Sequence, residues 1–153
     1  MKNDLKIEFN SFCDDDFDEF LEMVFALYKK DAYGEKINIQ KIKKTISILS
    51  NSSDKGDIYI FKSETYIVGY AITIYYWSNE YGSYILFIDE IYVKPDFRRQ
   101  GISTQFIDFL ININKRKMKA IQLEVTKANR IALNFYQKNG FIINENQSLI
   151  KLF

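Results

Sequence analysis

Apolar and polar positions repeat along this chain in two periods. Period two opens it, in "LKIEF" (5–9), and predicts a strand. A period near 3.6 follows. Phe17, Phe20, Leu21, Val24, Leu27 and Tyr28 fall on one helical face, with Asp14, Asp15, Asp16, Asp18 and Glu19 in the first turns and Lys29 and Lys30 in the last. That order of charge suits a helix dipole, so the acidic cluster reads as a solvated helix start rather than a binding patch. Ile39, Ile42, Ile46 and Leu49 mark a second helix, and "NSSDKGD" (51–57) a loop. Three strands are predicted next: "IYIFK", then 66–77, then 84–93, the last two joined by a hairpin connection, "SNEYGS" (78–83). The third is apolar on both parities and is expected at the centre of a sheet, covered on both faces. Ile102, Phe106, Phe109, Leu110 and Ile113 form another helical stripe, ending in "KRKMK" (115–119), whose charges suit a helix C-terminus. "AIQLEV" (120–125) alternates as a strand. Asn129 reads as an N-cap, "RIALNFYQKN" as a helix and Gly140 as its C′ residue. "FIIN" and "LIKLF" (149–153) are predicted closing strands. The order β-α-α-β-β-β-α-β-α-β-β describes a mixed α/β layer fold, expected as a single domain over 1–153.

Composition narrows the chemistry. The 153 residues include 21 basic and 20 acidic side chains, one cysteine and no histidine. The near-neutral balance weighs against a nucleic-acid partner, even with Arg98, Arg99 and the 115–119 cluster present. A single Cys13 excludes a disulfide within the chain, and the lack of histidine excludes Ser-His-Asp and Cys-His catalysis and weighs against a metal centre. No apolar run is long enough to span a bilayer and the opening residues lack the core of a signal peptide, so no membrane association and a cytoplasmic location are expected.

Chemistry concentrates at "RRQGIS" (98–103), between the central strand and a helix. The first amides of a helix lack intrahelical acceptors, and the aligned dipoles add partial positive charge. Gly101 admits close approach to the backbone, and Arg98 and Arg99 carry forked donors suited to phosphate. A pyrophosphate fits such a junction; the alternative is a solvated loop whose arginines pair with nearby carboxylates. Neither G-x-G-x-x-G nor G-x-x-x-x-G-K-[ST] occurs.

"VKPDFRRQGIS" resembles the acetyl-coenzyme A loop of the GCN5-related N-acetyltransferases, whose Q/R-x-x-G-x-G/A reads here Arg98, Arg99, Gln100, Gly101, Ile102, Ser103. Ser103 departs from the usual glycine or alanine but keeps its N–H. "NRIALNFYQKNGF" (129–141) resembles the family's second motif. The resemblance implies a mixed, mostly antiparallel sheet of six or seven strands with about four helices and two splayed central strands. It implies acetyl-coenzyme A as co-substrate and an amine acceptor, with no metal. Cofactor contacts would come from Ile91, Tyr92 and Val93, from the loop through Ile102, Ser103 and Thr104, and from Asn129. Tyr136 would protonate the departing thiolate. A non-catalytic coenzyme A-binding or sensor module of the same fold is the alternative. The edge of the C-terminal strands leaves a homodimer open.

An alkylamine of pKa ~10.4 is mostly protonated at neutral pH, and freeing its lone pair costs about 4–5 kcal/mol. A base lowers that cost. Asp89 and Glu90 interrupt the apolar central strand, where burial should raise their pKa. On a regular strand they point to opposite faces. Asp89 matches the position where some family members carry an acidic residue, and Glu90 takes its place if a bulge shifts the parity. A buried carboxylate that caps a loop or pairs with an arginine is the structural alternative. Tyr28, Trp77 and Glu80, with Phe25 and Tyr33, are the candidates for contact with the acceptor.

Overall fold

The computed structural model describes residues 5–30 and 34–153. Nine elements form there: β1 (Glu8–Ser11), α1 (Phe17–Tyr28), α2 (Ile39–Ser50), β2 (Gly56–Ser63), β3 (Tyr66–Ser78), β4 (Ser83–Val93), α3 (Ile102–Asn114), β5 (Met118–Leu123) and α4 (Arg130–Lys138). Short 3₁₀ turns precede α1 (Asp14–Asp16) and follow β4 (Pro95–Phe97). The chain divides into two units, Met1–Leu123 and Glu124–Phe153.

The first unit holds one sheet in the order β1-β2-β3-β4-β5. Its first three pairings are antiparallel, and β5 joins β4 in parallel. A parallel neighbour needs a crossover, which α3 supplies. The sheet buries both faces, as the apolar reading of β4 on both parities required. On one face Phe20, Met23 and Val24 of α1 and Ile42 and Leu49 of α2 pack against Ile60, Tyr70 and Ile72. On the other, Ile102, Phe106 and Leu110 of α3 pack against Phe61, Ala71, Leu86 and Ile88. Each fully buried side chain of this size stabilises the fold by about 1.5–3 kcal/mol, so the two layers hold β3 and β4 firmly between them. At Gly69 an added Cβ would lie 2.4 Å from the carbonyl oxygen of Tyr92. Only a residue without a side chain lets β3 run this close to β4, immediately before Tyr70.

Three expectations are corrected. The sheet has five strands rather than six or seven, because "FIIN" and "LIKLF" form no strands. Alternation is a local signal, whereas a strand exists only with a hydrogen-bonded neighbour. These short runs, separated by the polar stretch "NENQS", have none, and Ile142, Leu149 and Ile150 are exposed. The first strand begins three residues late, at Glu8. Finally, the acidic cluster is not wholly solvated. Asp16 is 3% exposed and meets the Lys62 ammonium at 2.7 Å, tying the turn before α1 to β2.

In the second unit, the Asn129 side chain accepts from the Ala132 N–H at 3.1 Å and caps α4. At the other end Gly140 is left-handed at φ +87°. The Gly140 N–H donates to the Gln137 carbonyl and the Phe141 N–H to that of Tyr136, the paired bonds of a Schellman motif. Both caps match the sequence reading.

Candidate active site

The loop after β4 folds as the junction chemistry requires. Arg99 (φ +61°) and Gly101 (φ +76°) are both left-handed, and they turn the chain sharply into α3. For Gly101 this conformation is the reason for glycine, since an added Cβ would meet nothing within 4 Å. No side chain caps α3, and its first backbone bond runs from the Gln105 N–H to the Gly101 carbonyl at 3.0 Å. The amides of Ile102, Ser103 and Thr104 are therefore left without an intrahelical acceptor. Ile102 anchors this turn in the core, while Ser103 and Thr104 are half-buried. The arginines differ. Arg98 folds back, with its Nε donating to the Val93 carbonyl at 2.8 Å and its guanidinium 5.4 Å from the Tyr92 ring centre. Arg99 stays exposed. Gln100 closes the turn through Nε2, which donates to the Asp96 carbonyl at 3.1 Å.

The backbone of β4 opens beside this loop. Pairing with β5 stops at Ile88↔Leu123, whereas pairing with β3 continues to Gly69↔Val93. Residues 89–93 thus have a strand on one side only. The Lys94 N–H donates to the Val68 carbonyl. Because the ladder alternates, Glu90 and Tyr92 turn their backbone groups to β3, and Ile91 and Val93 turn theirs to the open edge. Of the three β4 positions expected to bind cofactor, Ile91 and Val93 therefore present backbone there and Tyr92 does not.

A bulge decides where the carboxylates go. Ile72 pairs with Glu90 and Thr73 with Ile88, so Asp89 is the extra residue. Below the bulge Leu86 and Ile88 face α3, and above it Tyr92 faces α1. Asp89 and Glu90 consequently share the α1–α2 face, instead of opposing each other as on a regular strand. Asp89 is exposed and lines a cavity of about 390 Å³ with Lys41, Lys44, Thr45, Leu49 and Ile72. Glu90 lies deeper. Its Oε1 accepts from the Tyr28 phenol at 2.6 Å and its Oε2 from the Tyr70 phenol at 2.7 Å. Burial pushes the Glu90 carboxyl above the ordinary carboxylate range, and the charge of Asp89 adds to the rise, while the two phenols oppose it. Burial likewise raises the Tyr70 phenol, with the Glu90 charge adding to it.

The expected acceptor contacts separate. Tyr28 meets Glu90. Trp77 and Glu80 lie at the β3–β4 hairpin, where Trp77 is 59% exposed and meets Tyr84 edge-on. Trp77 is five β3 positions beyond Ile72, the partner of Glu90, which puts it roughly 16 Å along the strand. Phe25 is half-buried, packed against the core on the α1 face. Tyr33 lies outside the described residues. In the second unit Tyr136 is half-buried, its ring edge-on to Phe135 and Phe141, and burial raises its phenol.

Sequence reasoning missed Tyr70. Its signal was a tyrosine among the apolar positions of β3, since a buried phenol needs a partner. Lys41 and Lys44 were missed as well, since only the apolar stripe of α2 was read. Among the described residues no helix is long and apolar enough to cross a membrane. None of those residues form a group of three metal-ligating side chains.

Comparison with known proteins adds four likenesses. Residues 13–141 match the model of the acetyltransferase (GNAT) family. An uncharacterized N-acetyltransferase of Methanocaldococcus jannaschii is 31% identical over 132 residues, 83% of this chain and 57% of that protein. The chain thus spans little more than half the length of this relative. Among solved structures, a "possible acetyltransferase" from Clostridium difficile 630 superposes with a TM-score of 0.80 at 22% identity, covering 96% of this chain and 98% of that one. A transcriptional regulator from Bacillus halodurans C-125 superposes at 0.76 and 21% identity, covering 97% and 100%. At these identities the two structures speak for the fold.

Proposed function

The chain belongs to the acetyltransferase (GNAT) family, and from that premise we propose that it moves an acetyl group from acetyl-coenzyme A to a primary amine. The observation that carries this reading is the pair of features around the end of β4. The bare amides at 102–104 suit a diphosphate, and the open edge at Ile91 and Val93 suits an amide-bearing arm. Arg99 adds an exposed guanidinium to the same loop. Gln100, Gly101 and the bond of Arg98 to Val93 hold the turn in shape. Bound there, acetyl-coenzyme A supplies an acyl group already activated as a thioester.

The residues of the chain do the rest. Glu90 takes the proton of the incoming ammonium, directly or through one water, because its raised carboxyl is a better base near neutrality than an ordinary one. Asp89, exposed beside the cavity, attracts the cation; if it takes the proton itself, Asp89→Asn and not Glu90→Gln carries the loss. The nitrogen forms a bond to the acetyl carbon as the carbon–sulfur bond breaks. The Val93 N–H, on the open edge, polarises the carbonyl oxygen. On the likeness to the family's second motif, we read Asn129 as a contact of the cofactor arm and Tyr136 as the acid for the departing thiolate. The acceptor is a small amine, such as a polyamine or aminoglycoside, or a protein amine.

The test is release of free thiol from acetyl-coenzyme A against amines of each class, alongside titration calorimetry with coenzyme A. Binding without turnover on any amine would replace this reading with a cofactor-holding module, and no binding at all would remove it. Tyr136→Phe is expected to slow turnover about tenfold without abolishing it, since a thiol of pKa ~8.5 leaves with little help from an acid. An unchanged kcat would remove Tyr136 from the chemistry.

A further inference from the structure

Glu90 is held by both of its oxygens. Tyr28 is the last residue of α1 and donates to Oε1, while Tyr70 lies in β3 and donates to Oε2. A phenol has one proton to give, and each of these is spent on the same carboxylate. A large rotation of the carboxyl plane weakens both bonds together. The Tyr70 ring is itself fixed. It is fully buried, meets Phe20 of α1 edge-on at 5.0 Å and lies 6.1 Å from Tyr92. Tyr28 is half-buried at the rim of the same helix.

We propose that Tyr28 and Tyr70 are positioning residues that brace Glu90 from two elements, fixing the plane of its carboxylate and favouring its ionised form. This deepens the reading of Glu90 as the base and rests on it. Each carboxylate oxygen keeps a second lone pair, so the brace leaves Glu90 able to take a proton from the acceptor. It also ties the base to the seating of α1, because Glu90 has its full set of donors only when α1 is docked on β3 and β4. Among the described residues, the other charged and titratable groups near this face include Asp89 and Tyr92 of β4, Lys41 and Lys44 of α2 beside Asp89, and the ion pair between Glu19 of α1 and Lys94. Asp89 opposes ionisation of Glu90, so the phenols are the donors that counter both it and burial.

The experiment reads Glu90 itself. Protein labelled with ¹³C at the glutamate carboxyls is titrated by NMR, and the Glu90 resonance is identified by its loss in Glu90→Gln. A hydrogen bond donated to the charged form lowers a pKa. Removing one by Tyr28→Phe or Tyr70→Phe should therefore raise the Glu90 midpoint, by about one pH unit in each, a tenfold loss of ionised fraction at a fixed pH below the midpoint. Where a Phe variant fails to fold, 3-fluorotyrosine at position 28, a stronger donor, should move the midpoint down. A midpoint that stays put in the folded variants, or moves the opposite way, overturns the brace. The kcat/KM for thiol release with spermidine and with an aminoglycoside, followed against pH, makes the second arm. A Glu90→Gln enzyme with wild-type turnover overturns Glu90 as base, whatever the NMR midpoints do. Loss of activity in Glu90→Gln with unmoved midpoints in the Phe variants overturns only the brace.

Discussion

Replacing Glu90 by glutamine is expected to cut kcat/KM for acetyl transfer by on the order of a hundredfold, the usual scale for losing a positioned general base. Glutamine keeps the shape of the side chain but cannot take the proton. The same substitution should leave the fold intact and change its pH response. The Glu90 carboxyl lies above the ordinary carboxylate range because burial, reinforced by Asp89, outweighs the two phenols. A group whose folded pKa is raised contributes stability that is fully present below its unfolded value and is lost as pH rises through the folded value. As pH rises through that folded value, the folded protein ionises a partly buried Glu90 at a cost that glutamine does not incur. The thermal midpoint of Glu90→Gln should equal or exceed that of wild type at pH 8, and the difference should close as the pH falls into the ordinary carboxylate range. Turnover unchanged across the amine panel would remove Glu90 from the reaction. A variant less stable at pH 8 than at pH 4, relative to wild type, would reverse the assignment of its charge.

Ser103→Asp should weaken coenzyme A binding by on the order of a hundredfold while the protein remains as stable or gains slightly. Position 103 is the second residue of α3, where a carboxylate favours the helix by about 0.3–1 kcal/mol. The same carboxylate meets an incoming diphosphate at close range. Two unit charges at ~4 Å near a protein surface interact by about 4 kcal/mol, here repulsively. Calorimetric titration with coenzyme A and a thermal melt of the two proteins read both effects. The opposite signs distinguish a ligand site from a merely structural loop, because damage to the turn would lower stability and affinity together. An unaltered affinity would place the diphosphate elsewhere.

The turn into α3 and the two ends of α4 were legible because their signals are local. The Gly101 turn, the α3 stripe, the Asn129 cap and the Gly140 Schellman end are each written within a few residues. What the sequence left open depended on partners far along the chain. "FIDEIYV" reads as regular alternation, which groups Glu90 with Ile88 and Tyr92. One unpaired residue at Asp89 breaks that grouping, and an inserted residue in a ladder leaves no mark in a run that is apolar on both parities. Asp16 looked like one more solvated acid because Lys62 lies on another element. Tyr70 could be suspected of needing a partner but not assigned one. "FIIN" and "LIKLF" were over-read, since alternation states which face a strand would bury and not whether a neighbour exists. Arg98 carries the family motif, yet its guanidinium is partly spent on Val93 and Tyr92, which no spacing rule reveals.

The chain has a single tryptophan, and more than half of its surface faces water. Its indole emission is therefore red-shifted already in the native protein, and loss of the buried layers will scarcely alter it. Fluorescence at that wavelength is a poor reporter of melting for this molecule, and circular dichroism from its buried tyrosines is the better one. The same indole becomes useful for a different question: quenching by a soluble additive reads the state of the hairpin tip alone, undisturbed by anything happening in the interior.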